Sequence, residues 1–121
     1  MDPHEVLDRY FEAIRTHDWS ALADCLASDV HRTGPYLDVV EGREEYVAYL
    51  ARVVPSLEGY RLTVSRIDRL GGGEALVRLS ETVEVNGVSS EFPEALLFDF
   101  DSQGLIARVD IYIKQPPSGS G

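Results

Sequence analysis

The chain has 121 residues, 44% of them hydrophobic and 26% charged, which suits one soluble globular domain built on a single core. Its net charge of −10 argues against binding a nucleic-acid backbone or an anionic membrane surface, and leaves neutral or apolar small molecules, cationic ligands and protein partners. A single cysteine forbids an intrachain disulfide, no apolar run approaches the ~20 residues of a membrane span, and Met1-Asp2-Pro3-His4-Glu5 lacks the character of a secretory signal, so a cytoplasmic location is expected.

Pro3 stands where a helix can begin, and Val6, Leu7, Tyr10, Phe11 and Ile14 follow at helical spacing. This first helix is predicted to end near Thr16-His17-Asp18. Trp19 to Leu26 reads as a second, short helix with Trp19, Leu22, Ala23 and Leu26 on one side. A short strand, Val30 to Thr33, is stopped by Gly34-Pro35. Gly42 to Val54 reads as a third helix with Tyr46, Val47, Leu50 and Val54 as its apolar stripe, ended by Pro55. The period then changes from 3.6 to 2. Leu62, Val64 and Ile67 mark a strand with an irregularity near Arg66, and Gly71-Gly72-Gly73 turns the chain into a hairpin. Asp101-Ser102-Gln103-Gly104 turns it again into a last strand, Leu105 to Gln115. Helices followed by a meander of long strands predict an α+β fold, a curved antiparallel sheet with helices covering its concave face. Residues 1–115 are expected to form one domain, and Pro116 to Gly121 a flexible tail or cloning remnant.

The hairpin carries the strongest functional signal. Ala75 to Val85 and Val88 to Phe100 alternate on either side of Asn86-Gly87, a pair suited to a type I′ turn because both central positions need positive φ. A two-residue loop sets Val85 opposite Val88, Val83 opposite Ser90, Glu81 opposite Phe92 and Leu79 opposite Glu94. One face then reads Val77, Leu79, Glu81, Val83 and Val85 against Phe92, Glu94, Leu96, Phe98 and Phe100. Glu81 and Glu94 become diagonal neighbours, about 7–8 Å apart by backbone spacing. Carboxylates rarely sit on a buried face unpaired, so the placement points to a pocket with acid–base chemistry. The other face carries Arg78, Ser80, Thr82 and Glu84 opposite Ala95, Pro93, Glu91 and Ser89; this mixed surface is compatible with a homodimer. Pro93 suggests a bulge or an unpaired backbone position.

Several strings, Leu7-Asp8-Arg9-Tyr10-Phe11, Leu26-Ala27-Ser28-Asp29-Val30, Val40-Glu41-Gly42-Arg43, the Asn86-Gly87 hairpin and Gly104-Leu105-Ile106-Ala107-Arg108-Val109, together resemble the nuclear transport factor 2-like superfamily. The similarity runs from His4 to Gln115 and is nearest the SnoaL-like and ketosteroid-isomerase-like branches. It implies a cone-shaped fold, a bent sheet wrapped around helices with an apolar pocket open at one end. It also implies activities ranging over isomerases, cyclases, dehydratases, epoxide hydrolases and non-catalytic binding modules, and common dimerisation through the convex face. Tyr10 matches the position of a steroid isomerase oxyanion donor. The positions of the steroid isomerase catalytic base and second oxyanion donor fall on Gly34 and Leu96, and that of the last-strand catalytic aspartate of limonene-epoxide-hydrolase-like and SnoaL-like enzymes falls on Ile111, while Asp110 faces the other way. That departure argues against ketosteroid isomerase chemistry.

The candidate catalytic set is therefore Glu81, Glu94, Arg32 and Tyr10. One of the glutamates is expected to have a raised pKa and to act as acid or base. Arg32, inward-facing beside Val30, is expected to pair with Glu81, Glu94 or Asp38, as a ligand anchor or as the counter-ion of a structural salt bridge. Tyr10 is either a donor to developing oxygen charge or a satisfied core tyrosine. Tyr36, Asp38, Leu79, Phe92, Leu96, Phe98, Val109 and Ile111 are expected to line the pocket, although turn chemistry alone explains Asp38. Tyr46 and Tyr49 are expected to pack rather than react, and Cys25 to be a buried inert thiol. The histidines and the cysteine lack metal-ligand spacing, and no cofactor is expected. The expected function is cofactor-independent acid–base chemistry on a hydrophobic metabolite; the alternative is a non-catalytic ligand-binding or dimerisation module.

Overall fold

A computed structural model describes residues 2–115, so the predicted tail at 116–121 lies outside the described residues. Helix α1 spans Pro3–Thr16, with the Asp2 side chain accepting from the Glu5 backbone N–H and His17 ending it in the left-handed region at φ 57°. Its apolar stripe, Val6, Leu7, Tyr10, Phe11 and Ile14, is buried, as helical periodicity requires of a helix packed on a sheet. Helix α2 is shorter than the sequence suggests, Trp19–Asp24. Leu26 instead opens β1, Leu26–Thr33, because it pairs with Ile106 and Ile106 N–H bonds the Cys25 carbonyl. Pairing across the sheet outweighs the helical spacing of Leu22 and Leu26. A register shift between Leu26 and His31 exposes Ser28 and Asp29, which hides this half of the strand in the sequence.

Strand β2, Val39–Glu41, was not anticipated; three residues carry little periodicity, and its pairing with His31 to Thr33 makes it a strand. Helix α3 follows, Arg43–Val53, continued by a 3₁₀ turn over Val54–Ser56 that accommodates Pro55. Strands β3 (Arg61–Leu70), β4 (Glu74–Val85), β5 (Val88–Phe100) and β6 (Ile106–Ile113) complete one six-stranded curved, unclosed sheet ordered β2-β1-β6-β5-β4-β3. The sheet is antiparallel except where β1 lies parallel to β6.

The hairpin forms in the predicted register, from Val85 opposite Val88 to Leu79 opposite Glu94, with Asn86 and Gly87 at φ 52° and 77°. The anticipated irregularity of β3 falls between Val64 and Arg66. Pro93 causes no register break against β4; β6 pairs with β5 only from Glu94 onward, so Pro93 lies where that ladder stops.

Burial along the concave face is graded. Val77, Leu79, Leu96 and Phe98 are buried beneath α1, Glu81, Val83 and Phe92 are half-buried, and Val85 is exposed. The helices therefore cover one end of the sheet and leave the hairpin end open. Tyr10 and Phe11 pack edge-on against Phe98 at ring-centroid distances of 5.5 and 6.0 Å, which closes the covered end. Phe98→Ala should lower the unfolding free energy by about 3–5 kcal/mol in a denaturant melt; a loss below about 1 kcal/mol would show that this aromatic cluster does not anchor α1 to the sheet.

Candidate functional site

Between the covered and open ends lies a cavity of about 60 Å³ bounded by α1, β1, α3, the 3₁₀ turn and β3 to β6; Tyr10, Arg32, Glu81 and Glu94 all reach it. It adjoins a wider mouth of about 240 Å³ that shares Glu81 and Glu94 and adds Val83, Phe92 and Ile113. Four predicted catalytic side chains, from three distant stretches of chain, thus meet in one space. Among the predicted pocket residues, Leu79, Leu96 and Ile111 line the cavity and Phe92 lines the mouth.

The remaining four lie elsewhere. Phe98 and Val109 are wholly buried in the packed core, because α1 covers their end of the sheet and leaves no space there. Tyr36 is 73% exposed and touches the site only through Gln115, whose Nε2 donates to the Tyr36 hydroxyl at 2.6 Å and whose side chain borders the mouth. Asp38 is a loop brace. It accepts from the Tyr36 backbone N–H at 3.2 Å and pairs with Arg32 at 3.5 Å. A Cβ at position 34 would fall 2.4 Å from the Asp38 carboxylate, so glycine is what admits the brace.

Glu81 and Glu94 have unlike surroundings. Glu94 is 8% exposed, and its Oε2 is buried without a hydrogen-bond partner among the described residues. Burial raises its carboxyl far above the usual carboxylate range, and the neighbouring Glu81 raises it further, with Arg32 opposing. Both causes favour the neutral form of Glu94 over the ionised one. Glu81 is half-buried and accepts from the Tyr60 hydroxyl. Burial, and then Glu81 itself, hold the Tyr60 phenol well above its ordinary value, so it stays a donor.

Arg32 is 8% exposed and takes Asp38, of its three expected partners, as its ion pair. Its guanidinium also lies 4.7 Å from the centroid of Tyr49, a cation–π contact. Tyr10 finds a tyrosine, not a carboxylate: its hydroxyl lies 2.6 Å from that of Tyr46. Burial pushes Tyr46 up to about 12 and Tyr10 well above the ordinary phenol value, so both remain protonated. Tyr60 was missed in the sequence because it precedes β3 in a turn with no periodicity of its own. Among the described residues no three His, Cys, Asp or Glu side chains converge as metal ligands, and no helix is long and apolar enough to cross a membrane.

Residues 7–109 match the sequence pattern of the SnoaL-like domain. No curated protein matches the chain. Among solved structures, a protein of ketosteroid isomerase-like fold from Catenulispora acidiphila, in complex with trimethylamine, is similar with a TM-score of 0.78 at 19% identity, over 93% of this chain and 86% of that one. A Mycobacterium tuberculosis LEH-like epoxide hydrolase is similar at TM-score 0.76 and 16% identity, over 91% and 80%. Another M. tuberculosis protein, in complex with estradiol-17β-hemisuccinate, gives 0.78 and 18%, over 93% and 94%. At such identities the likeness establishes the fold alone.

Because the folded-state pKa of Glu94 is raised, the group's contribution to stability is complete below the ~4.3 of an unfolded glutamate and declines as pH rises above it, by at most about 1.4 kcal/mol per pH unit. Glu94→Gln, which mimics the neutral carboxyl, should remove that component. Thermal melts from pH 5 to 9 should show wild type falling toward or below the variant as pH rises; parallel curves would mean that Glu94 is ionised in the fold.

Proposed function

The chain belongs to the SnoaL-like domain family, and on that footing we propose that it is a cofactor-independent acid–base enzyme acting on a small hydrophobic metabolite bearing a neutral oxygen function. The observation that carries the reading is the divided carboxyl pair, a buried Glu94 with an unpartnered oxygen beside a Glu81 that accepts a hydrogen bond, both facing one cavity. Two titratable groups whose environments separate their protonation states are what acid and base roles require.

In this reading the apolar body of the ligand rests against Phe92, Val83 and Ile113 in the mouth, and its oxygen enters the cavity. Glu94 donates its proton to that oxygen. Glu81 takes a proton from an adjacent carbon, which gives a cyclisation or dehydration, or from a water, which gives epoxide opening, and the proton then returns from Glu81 to Glu94 across the pair or through solvent. In an isomerisation Glu81 instead delivers its proton to a different carbon of the enol, while the enol hydroxyl returns its proton to Glu94. The Tyr10 hydroxyl, hydrogen-bonded to that of Tyr46, stands protonated in the cavity wall. Arg32 supplies positive potential from the cavity wall. The same proposal places the protein in the cytoplasm as a homodimer through the convex face, where Tyr112 stands exposed beside a groove containing Arg78, Ser80 and Pro93.

A specific observation favours the second reading, a binding module without turnover. Leu96 and Ile111 form apolar wall where the resemblance places catalytic carboxyls, and Gly34 stands at the third such position. A panel of neutral epoxides and β,γ-unsaturated ketones separates the two. On whichever probe is turned over, Glu81→Gln should lower kcat about 100-fold or more with an unchanged melting profile. Turnover equal to wild type would remove Glu81 from the chemistry, and ligand-induced thermal shifts without turnover across the panel would favour the binding module.

A further inference from the structure

Two glutamates on neighbouring strands of one face are alike in chemistry, so the protein needs a device to assign them different roles. The groups facing the pair are Tyr10 from α1, Arg32 from β1, and Tyr60 ahead of β3, with Arg15 of α1 acting on Tyr60. Strand β6 and α3 with its 3₁₀ turn present apolar Ile111, Leu50 and Val54. Most of the polar groups are already committed. Arg32 pairs with Asp38 and lies over Tyr49, Arg15 donates to the Leu62 carbonyl at 3.2 Å and pairs with Glu12 at 3.5 Å, and Tyr10 is bonded to Tyr46. Tyr60 alone of these donates to a glutamate of the pair, and it reaches Glu81 and not Glu94.

The local chain is built to hold Tyr60 there. Glu84 N–H bonds the Glu58 carbonyl at 2.8 Å, tying the turn to β4. Gly59 adopts φ +63°, and a Cβ on it would meet the Glu84 side chain at 2.8 Å. Glycine thus lets the turn approach β4 closely enough for Tyr60 to lie over Glu81 on the same strand.

We propose that Tyr60 is the positioning residue that divides labour within the pair: by donating its hydroxyl to Glu81 Oε2 it makes Glu81 the proton acceptor and leaves Glu94 the proton donor. The inference rests on the acid–base reading of the site. A hydrogen bond to a carboxylate stabilises the ionised form, and repulsion from that charge, added to burial, keeps the proton on Glu94. Because Tyr60 borders both the cavity and the mouth, a ligand approaching Glu81 passes this hydroxyl.

The test is the titration of ¹³C-carboxyl-labelled glutamates by NMR in wild type and Tyr60→Phe, with no ligand present. Loss of the hydroxyl should raise the Glu81 midpoint by about one pH unit or more and lower that of Glu94. An unchanged Glu81 midpoint in a folded variant would overturn the proposal. Should Tyr60→Phe not fold, the Tyr60 ¹³Cζ resonance of the wild-type protein decides: a step coincident with the Glu81 titration supports the assignment, and no step overturns it. If the midpoints shift while no probe is turned over, Tyr60 keeps its role in the pair and the enzymatic reading fails.

Discussion

Two carboxyl groups pinned to one apolar face by a two-residue turn are the constraint from which the site follows. The Asn86-Gly87 turn allows one register, and period-two alternation then leaves Glu81 and Glu94 no choice of face. A single-residue slip would send both to the convex side and bring Thr82, Ser80 and Pro93 inward. The fold cannot relieve this juxtaposition by moving the strands, so it relieves it by protonation: one carboxyl is given a donor and some solvent, the other is buried and neutral. Desolvation and like charge act in the same direction on Glu94, which makes the asymmetry robust.

The graded cover of the sheet sets that pair at the edge of a cavity. If the helices covered the whole concave face, both glutamates would lie in a packed interior, as Phe98 and Val109 do. If they covered less, both would be hydrated and ordinary. The aromatic contacts of Tyr10 and Phe11 with Phe98 fix where packing ends, and the boundary falls at Leu79 and Leu96, one step along the same face from the glutamates. The Tyr10–Tyr46 hydrogen bond satisfies two buried hydroxyls at that boundary, joining α1 to α3 at the cavity floor.

The hairpin and the facing of its two glutamates were legible in the sequence because the information is local: a turn dipeptide sets a register, and alternation sets a face. The SnoaL-like fold was legible because the same kind of local signal recurs along the chain. What was not legible depends on closure in three dimensions. Strand β2 exists through its partner β1, and Leu26 belongs to the sheet through Ile106. Tyr60 meets Glu81 because of an approach between a turn and a strand that neither segment announces. Phe98 and Val109 face the predicted side, but a facing direction does not say whether a helix or a void lies above.

Arg32 shows why the pocket stays neutral at Glu94 although it contains a guanidinium. A free arginine within reach would favour ionisation of both glutamates and erase their difference. Here its ion pair is with Asp38, outside the cavity, and an aromatic face holds the guanidinium as well. Asp38 in turn is held by the Tyr36 backbone and by the close approach that Gly34 permits. Arg32, shared with Asp38, opposes the upward shift of Glu94 without overcoming burial and the neighbouring Glu81. The turn at Gly34 to Asp38, which reads as rim decoration in the sequence, therefore acts on the site through Arg32: by occupying the cation, it leaves the carboxyl pair to sort its own proton.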